Sequence, residues 1–321
     1  MLLEISEHGS VLKRSHDCFI VRTASGKVEF PAEKVEAIII TANALVSTQA
    51  VALCLEKEIQ LVLANWSGKP FGRFWASTPG RATEIRRQQY LNQDSQLAYE
   101  ISREIVSTKL KEQRRLLIHL KNNRKTNTEN LKQSIARLEE VLAQIDMLLF
   151  SPQFKQVLLG FEGFAASEYF RAISSILPKK YSFSKRSRNP SQDRFNAVLN
   201  YAYGFTYSDI EKVVILSGLD PNAGLYHADV YGKPTLVFDI IEMYRAKVDR
   251  LVVRLFTKRI IRDSWFEEKD VGPTASVYLS KEGRRNVMGQ YLGQVSQPIQ
   301  RLTWDYCRGL VQRLLGGSVK S

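Results

Sequence analysis

The chain has 321 residues, 44% hydrophobic and 25% charged, which is length for two ordinary domains or one large one, and no apolar run approaches the roughly 18 residues that a membrane-spanning helix needs. Three scattered cysteines (Cys18, Cys54, Cys307) and a start, Met1-Leu2-Leu3-Glu4, without a basic-then-apolar leader exclude a disulfide framework and a secretory signal, so a reducing cytoplasmic setting is expected. Lys and Arg (46) exceed Asp and Glu (33) by 13; residues 1–80 hold eight of each sign, so the whole excess lies in residues 81–321 and points to a polyanionic partner there, above all nucleic acid.

Residues 1–80 read as β-rich. Short apolar or β-branched segments (Cys18 to Thr23, Lys27 to Phe30, Ala37 to Ile40, Ile59 to Leu63, Phe71 to Trp75) alternate with turn signals at Ser25-Gly26, Ser67-Gly68 and Pro79-Gly80. One helix interrupts them, Thr48 to Lys57 behind a cap at Ser47, with Val51, Leu55 and Ile59 expected on the sheet. Beyond Pro79-Gly80 the helical period takes over. A helix over Ser95 to Leu120 is expected to pair antiparallel with one whose apolar seam runs through Leu131, Ile135, Leu138, Leu142, Ile145 and Leu149, behind a capping box of Thr126 and Glu129. The expected fold is therefore α+β, with a small β-rich domain over 1–80 followed by a larger α-helical domain over 81–321.

Candidate chemistry narrows by exclusion. No cysteine has the partners that zinc binding or thiol catalysis needs, and neither a Walker loop nor a dinucleotide fingerprint is present. Carboxylates and one histidine remain. Helical spacing puts Glu162 on one stripe with Ala165, Ala166 and Tyr169, where a carboxylate needs a cation, a metal or donors; a place near a helix start, meeting the dipole, accounts for Glu162 equally well. His227 ends a Gly/Pro-rich loop, Gly218-Leu219-Asp220-Pro221 to Asp229, just before a helix, a position that suits a ligand or base as well as a structural imidazole. That helix starts at Pro234 and buries Val237, Ile241, Tyr244, Val248, Leu251 and Leu255, leaving Asp239 and Glu242 to project together from the other side with Arg250 and Arg254 along the flank; ordinary surface charge pairing and a metal site both fit that spacing.

In this order, Gly-Phe-Glu162-Gly, Asn196-Ala197-Val198-Leu199-Asn200-Tyr201-Ala202-Tyr203-Gly204, Gly218-Leu219-Asp220-Pro221 with His227, and Phe238-Asp239-Ile240-Ile241-Glu242 resemble the CRISPR-associated protein one family, the endonucleases and integrases that acquire new spacers. Pro31 to Ile38, Leu55-Glu56-Lys57, Gly68-Lys69-Pro70-Phe71-Gly72 and Leu279 to Arg284 extend the likeness to nearly the whole chain. The resemblance implies a β-rich dimerisation domain, a helical catalytic domain, a homodimer in a prokaryotic cytoplasm, and assembly with a small ferredoxin-like companion. It also implies that Glu162, His227 and Glu242 bind a divalent metal, with Asp239 beside them as an accessory acid. Many members have Asp where Glu242 stands; the longer side chain keeps the oxygen donor.

Two carboxylates and an imidazole suit Mg²⁺ or Mn²⁺, and the implied reaction is attack by the 3′-hydroxyl of a foreign DNA fragment on a repeat-boundary phosphodiester. Lys179, Lys180, Lys185, Arg186, Arg188, Arg250, Arg254, Lys258, Arg259 and Arg262 are the expected phosphate contacts, with Tyr181 and Phe183 as base-stacking residues or buried loop anchors. Two other readings stand beside this one: a noncatalytic DNA-binding scaffold, and a general acid and base pair of Glu162 and Asp239 acting on a sugar, which the basic charge disfavours.

Overall fold

The structure is a computed structural model that describes residues 1–65, 70–74, 81–126, 128–188, 190–271 and 274–316. The β-rich part builds two four-stranded sheets. The first joins β1 (Leu2–Ile5), β5 (Ala37–Ile40), β7 (Gln60–Ala64) and β8 (Pro70–Arg73), with β1, β5 and β7 parallel and β8 antiparallel. The second joins β4 (Gly26–Pro31), β3 (Cys18–Thr23), β2 (Val11–Ser15) and β6 (Leu45–Val46). The expected strands at 18–23 and 37–40 match; β1 and β2 went unread. Turns at Ser67-Gly68 and Pro79-Gly80, and Trp75, lie outside the described residues. Helix α1 (Thr48–Glu56) crosses between sheets, and Ser47 caps it by accepting from the Ala50 amide at 3.2 Å. Its buried face is Ala50, Leu53 and Cys54; of the expected residues, Val51 packs half-buried against the same core, Ile59 beyond the helix end is buried in it, and Leu55 is half-buried.

All four residues of β5 are buried because both faces of its sheet are covered. Ile38 and Ile40 join Leu12, Phe19 and Leu53 in the core between the sheets. Ala37 and Ile39 point the other way, as the two-residue period of a strand requires, and meet Ile215, Leu216 and Trp304 of the helical part.

The second part is mainly helical: α2 (Arg81–Leu91), α3 (Gln96–Asn122), α4 (Glu129–Asp146), α5 (Phe154–Ser175), α6 (Arg194–Leu216), α7 (Thr235–Glu242), α8 (Arg245–Thr257), then the antiparallel hairpin β9 (Phe266–Val271) and β10 (Thr274–Leu279), and finally α9 (Lys281–Tyr291) and α10 (Gln297–Leu314). The hairpin is a β insertion that the helical period did not reveal. One continuous core binds these helices together. The seam of α4 holds through Leu131, Leu138, Leu142 and Ile145, but the helix ends at Asp146 and Leu149 is 82% exposed. Thr128, not Thr126, stands at its cap, without a side-chain hydrogen bond. The single helix expected from Pro234 is two, broken at Met243-Tyr244. Tyr181 and Phe183 are loop anchors: Tyr181 packs edge-on against Phe256 and Phe183 stacks on Phe195. Among the described residues no helix is long and apolar enough to cross a membrane.

Candidate active site

Glu162 stands in the middle of α5, so a helix-start role is excluded. The expected stripe is real: Ala165 and Tyr169 are fully buried. Glu242, the last residue of α7, is 5% exposed at its side chain, and Asp239 is fully buried. The picture of Asp239 and Glu242 on an open helix face is thus corrected, because every residue of α7 except Phe238 is buried by α3, α6 and the preceding loop.

Both glutamates close on a residue that the sequence reading passed over. Lys109 of α3 pairs with Glu162 Oε1 and, at 2.5 Å, with Glu242 Oε2. Its signal was present, since Lys109 interrupts the buried stripe of Ile105, Val106, Leu110 and Gln113. Glu162 Oε2 accepts from the Tyr226 hydroxyl at 2.6 Å, and Glu242 Oε1 pairs with Arg245 at 2.7 Å. Burial would raise the Glu242 carboxyl, but Arg245 and Lys109 outweigh it and hold the group well below the usual carboxylate range. Burial, then Glu162, pushes the Tyr226 hydroxyl far up, so it stays a donor. Arg245 in turn lies over the Tyr203 ring, 4.6 Å from its centroid, and Tyr203 and Tyr169 both donate to Asp249. Burial lifts Asp249 to about 6.

His227 arrives on the loop between α6 and α7, as expected. Asp239 reaches back into that loop and accepts from the backbone N–H groups of Leu225 (2.7 Å), Tyr226 (3.0 Å) and His227 (2.9 Å) and from His227 Nδ1 (2.7 Å). With four donors on its two oxygens, Asp239 is a positioning residue rather than an accessory acid facing a ligand. A carboxylate only accepts here, so Nδ1 carries a proton, and in the neutral ring Nε2 keeps the lone pair. Burial alone would lower the His227 pKa; the Asp239 hydrogen bond and charge, backed by Glu242 and Glu162, raise it above 6.5. Gly224 permits the turn, since a Cβ there would stand 2.8 Å from the His227 carbonyl oxygen.

Glu162, His227, Glu242 and Lys109 line one cavity of about 720 Å³. Arg171, Lys185, Arg186, Arg188, Lys233 and Arg245 line it too, which gives a basic wall around two carboxylates and suits a phosphodiester. Of the expected phosphate contacts, Lys185 and Arg188 are exposed here, whereas Arg186 is half-buried and committed to Asn196, Asn200 and the Ser187 carbonyl. Lys179, Lys180, Arg250, Arg254, Lys258, Arg259 and Arg262 are exposed but lie outside the cavity. Lys180 pairs with Asp263, and Arg254 donates to Gln294.

Among the described residues, no three His, Cys, Asp or Glu side chains already form a metal-holding cluster, and the Lys109 ammonium stands where the two glutamates converge. The residues nonetheless fit a divalent cation. Two carboxylates are already drawn to one positive charge, both are largely buried, and the His227 imidazole faces the same cavity. Oxygen and imidazole donors match Mg²⁺ or Mn²⁺.

A model of the family described as CRISPR associated protein Cas1 matches residues 3–292. The chain is 29% identical over 281 residues to a CRISPR-associated endonuclease Cas1 of Archaeoglobus fulgidus, covering 84% of this chain and 80% of that one. It is 31% identical to a Cas1 endonuclease of Thermodesulfovibrio yellowstonii, covering 72% and 71%. Among solved structures, a partial Cas6-RT-Cas1–Cas2 complex superposes with a TM-score of 0.79 at 22% identity (99% of this chain, 96% of that one), and a casposase bound to integration product with 0.78 at 19% (97% and 96%). At those identities they show the same fold.

Proposed function

The chain belongs to the CRISPR-associated Cas1 family, and from that premise we propose that it is a metal-dependent DNA endonuclease and integrase that inserts foreign DNA fragments as new spacers into a CRISPR array. The observation that carries the reading is the convergence of Glu162 and Glu242 on one positive charge in a cavity walled by arginines and lysines and shared with His227. When bound, Mg²⁺ or Mn²⁺ supplies Lewis-acid charge to the reacting phosphate. Glu162 and Glu242 would hold it through oxygen and His227 through Nε2. Tyr226 fixes the rotamer of Glu162, Arg245 that of Glu242, and Asp239 the imidazole tautomer.

The rest of the wall binds and orients DNA. Lys185, Arg188 and Lys233 hold flanking phosphates, so a terminal 3′-hydroxyl approaches a repeat-boundary phosphorus in line with the leaving 3′-oxygen. One P–O bond forms as one breaks, and the hydroxyl proton ends on the released 3′-oxygen, so no external energy source is needed. Relatives solved as a complex with Cas2 and as a casposase with its integration product support DNA and a companion protein as partners. Within this reading residues 1–80 form the dimerisation domain and 81–321 the catalytic, DNA-binding one, the companion is small and ferredoxin-like, and the assembly works in a prokaryotic cytoplasm.

The test is E162Q, H227A and E242Q assayed for strand transfer into a supercoiled plasmid carrying a CRISPR repeat. Each is expected to lose at least about a hundredfold in transfer while duplex binding persists. Undiminished transfer in all three would show the proposed metal site to be wrong, and duplex binding without transfer by the wild type would leave a noncatalytic scaffold as the better reading.

A further inference from the structure

Lys109 has no task in the reaction as drawn, although it is the most buried cation at the carboxylates. Its side chain is 5% exposed, and desolvating an ammonium is costly unless acceptors replace water. Two carboxylates do so here, Glu162 by accepting a hydrogen bond from the ammonium and Glu242 through Oε2, 2.5 Å away. One turn further along α3, Gln113 is 1% exposed, lines the same cavity, and has a buried Oε1 that accepts no hydrogen bond among the described residues. Side chains four apart on a helix are neighbours, and a lysine stem has four flexible carbons. The helix therefore offers the ammonium a second, unused acceptor within reach of the first.

We propose that Lys109 is a two-position counter-cation, which holds Glu162 and Glu242 together in the metal-free protein and moves to Gln113 Oε1 when a divalent cation takes the carboxylates. The inference rests on the metal-dependent reading of this site. In the metal-free state Lys109 is a positioning residue that keeps two like charges from repelling each other apart. It also competes for both glutamates, so divalent affinity is set by the exchange of one cation for another. Gln113 lowers the cost of that exchange by replacing part of what the ammonium loses.

Mn²⁺ titration calorimetry on the full chain tests the exchange without measuring activity. K109M is expected to bind Mn²⁺ at least about tenfold more tightly than wild type, because no ammonium has to leave. Its metal-free form should melt lower and gain more on adding Mn²⁺. Q113L should bind at least about tenfold more weakly, the equivalent of one hydrogen bond to a charged group. Unchanged or weaker binding in K109M, or unchanged binding in Q113L, overturns the proposal. If K109M does not fold, K109R serves: its forked guanidinium grips both carboxylates harder, so Mn²⁺ should bind more weakly than to wild type, and equal or tighter binding overturns the idea. Loss of Mn²⁺ binding in E242Q with unchanged affinity in K109M removes the role of Lys109 and leaves the metal site standing. No Mn²⁺ uptake by any variant, K109M included, removes both.

Discussion

Three backbone amides and an imidazole N–H converge on the two oxygens of Asp239, a fully buried side chain. Asparagine there would turn one acceptor into an NH₂ facing those donors, so D239N should lose about 2–4 kcal/mol in urea unfolding. The same contact sets the charge of His227. Because the folded imidazole pKa is raised above 6.5, its protonated form adds stability that is complete below pH 6.5 and is lost as the pH climbs through the raised value. Only the neutral ring offers Nε2, so metal affinity should rise as the pH climbs through that raised value. In D239N the inflection should move to lower pH, which an NMR titration of the His227 ring reads directly; an unmoved inflection would deny Asp239 its role. Sequence spacing paired Asp239 with Glu242 as neighbours on a helix. It had no means of showing that the partners of Asp239 lie 12 to 14 residues upstream, in a loop whose amides need an acceptor.

Helices, not loops, aim most of the site. Asp249 of α8 accepts from Tyr169 of α5 and Tyr203 of α6, which ties the helix of Glu162 to that of Arg245. The break at Met243-Tyr244 has a use too, since it lets Arg245, the first residue of α8, fold back on Glu242, the last of α7. A continuous apolar stripe hid the break from periodicity. The first part of the loop between α6 and α7 is buried, with Leu219, Ala223, Leu225 and Tyr226 fully so. Asp229 accepts from the Gly224 amide and the Thr235 hydroxyl, while Gln93 of α2's following turn donates to Asp229 as well. A methyl group on Gly224 would meet the His227 carbonyl at 2.8 Å and Thr235 Cβ at 2.9 Å, neither free to yield. G224A should therefore destabilise the protein by about 2–4 kcal/mol and cut strand transfer by displacing His227. Thermal melting and the transfer assay check it; wild-type values in both would show that the loop adapts.

At the scale of the molecule, the +13 charge lies wholly in residues 81–321, and part of it lines the cavity that holds Glu162 and Glu242. Phosphate contacts act through released counter-ions, so duplex affinity should fall steeply between about 50 and 200 mM salt. Lys185 and Arg188 flank the carboxylates, whereas Lys258, Arg259 and Arg262 are exposed elsewhere. The double variant K185A/R188A is therefore expected to weaken binding and lower the salt slope by about 2, about one per lost phosphate contact. Equal slopes for wild type and variant, measured by fluorescence anisotropy, would place the DNA path away from the cavity. The β-rich part is joined to this body by a dry contact of β5 and β7 with the end of α6, and by the Trp304 indole donating to Glu36.

Composition and periodicity by themselves determined the order of the two parts, the strands at 18–23 and 37–40, the α3–α4 pair, the loop that carries His227 and the part of the chain that holds the excess positive charge. These are local or summed properties: a two- or 3.6-residue period, a cap, a run of turn residues, a total of charges. Tertiary structure alone decided that Glu162 and Glu242, eighty positions apart, share the ammonium of Lys109, that Asp239 serves the loop rather than a ligand, and that Arg186 is bound into the wall. Such pairings depend on which buried charge must find a partner once water is gone, and that requirement arises only when distant helices pack.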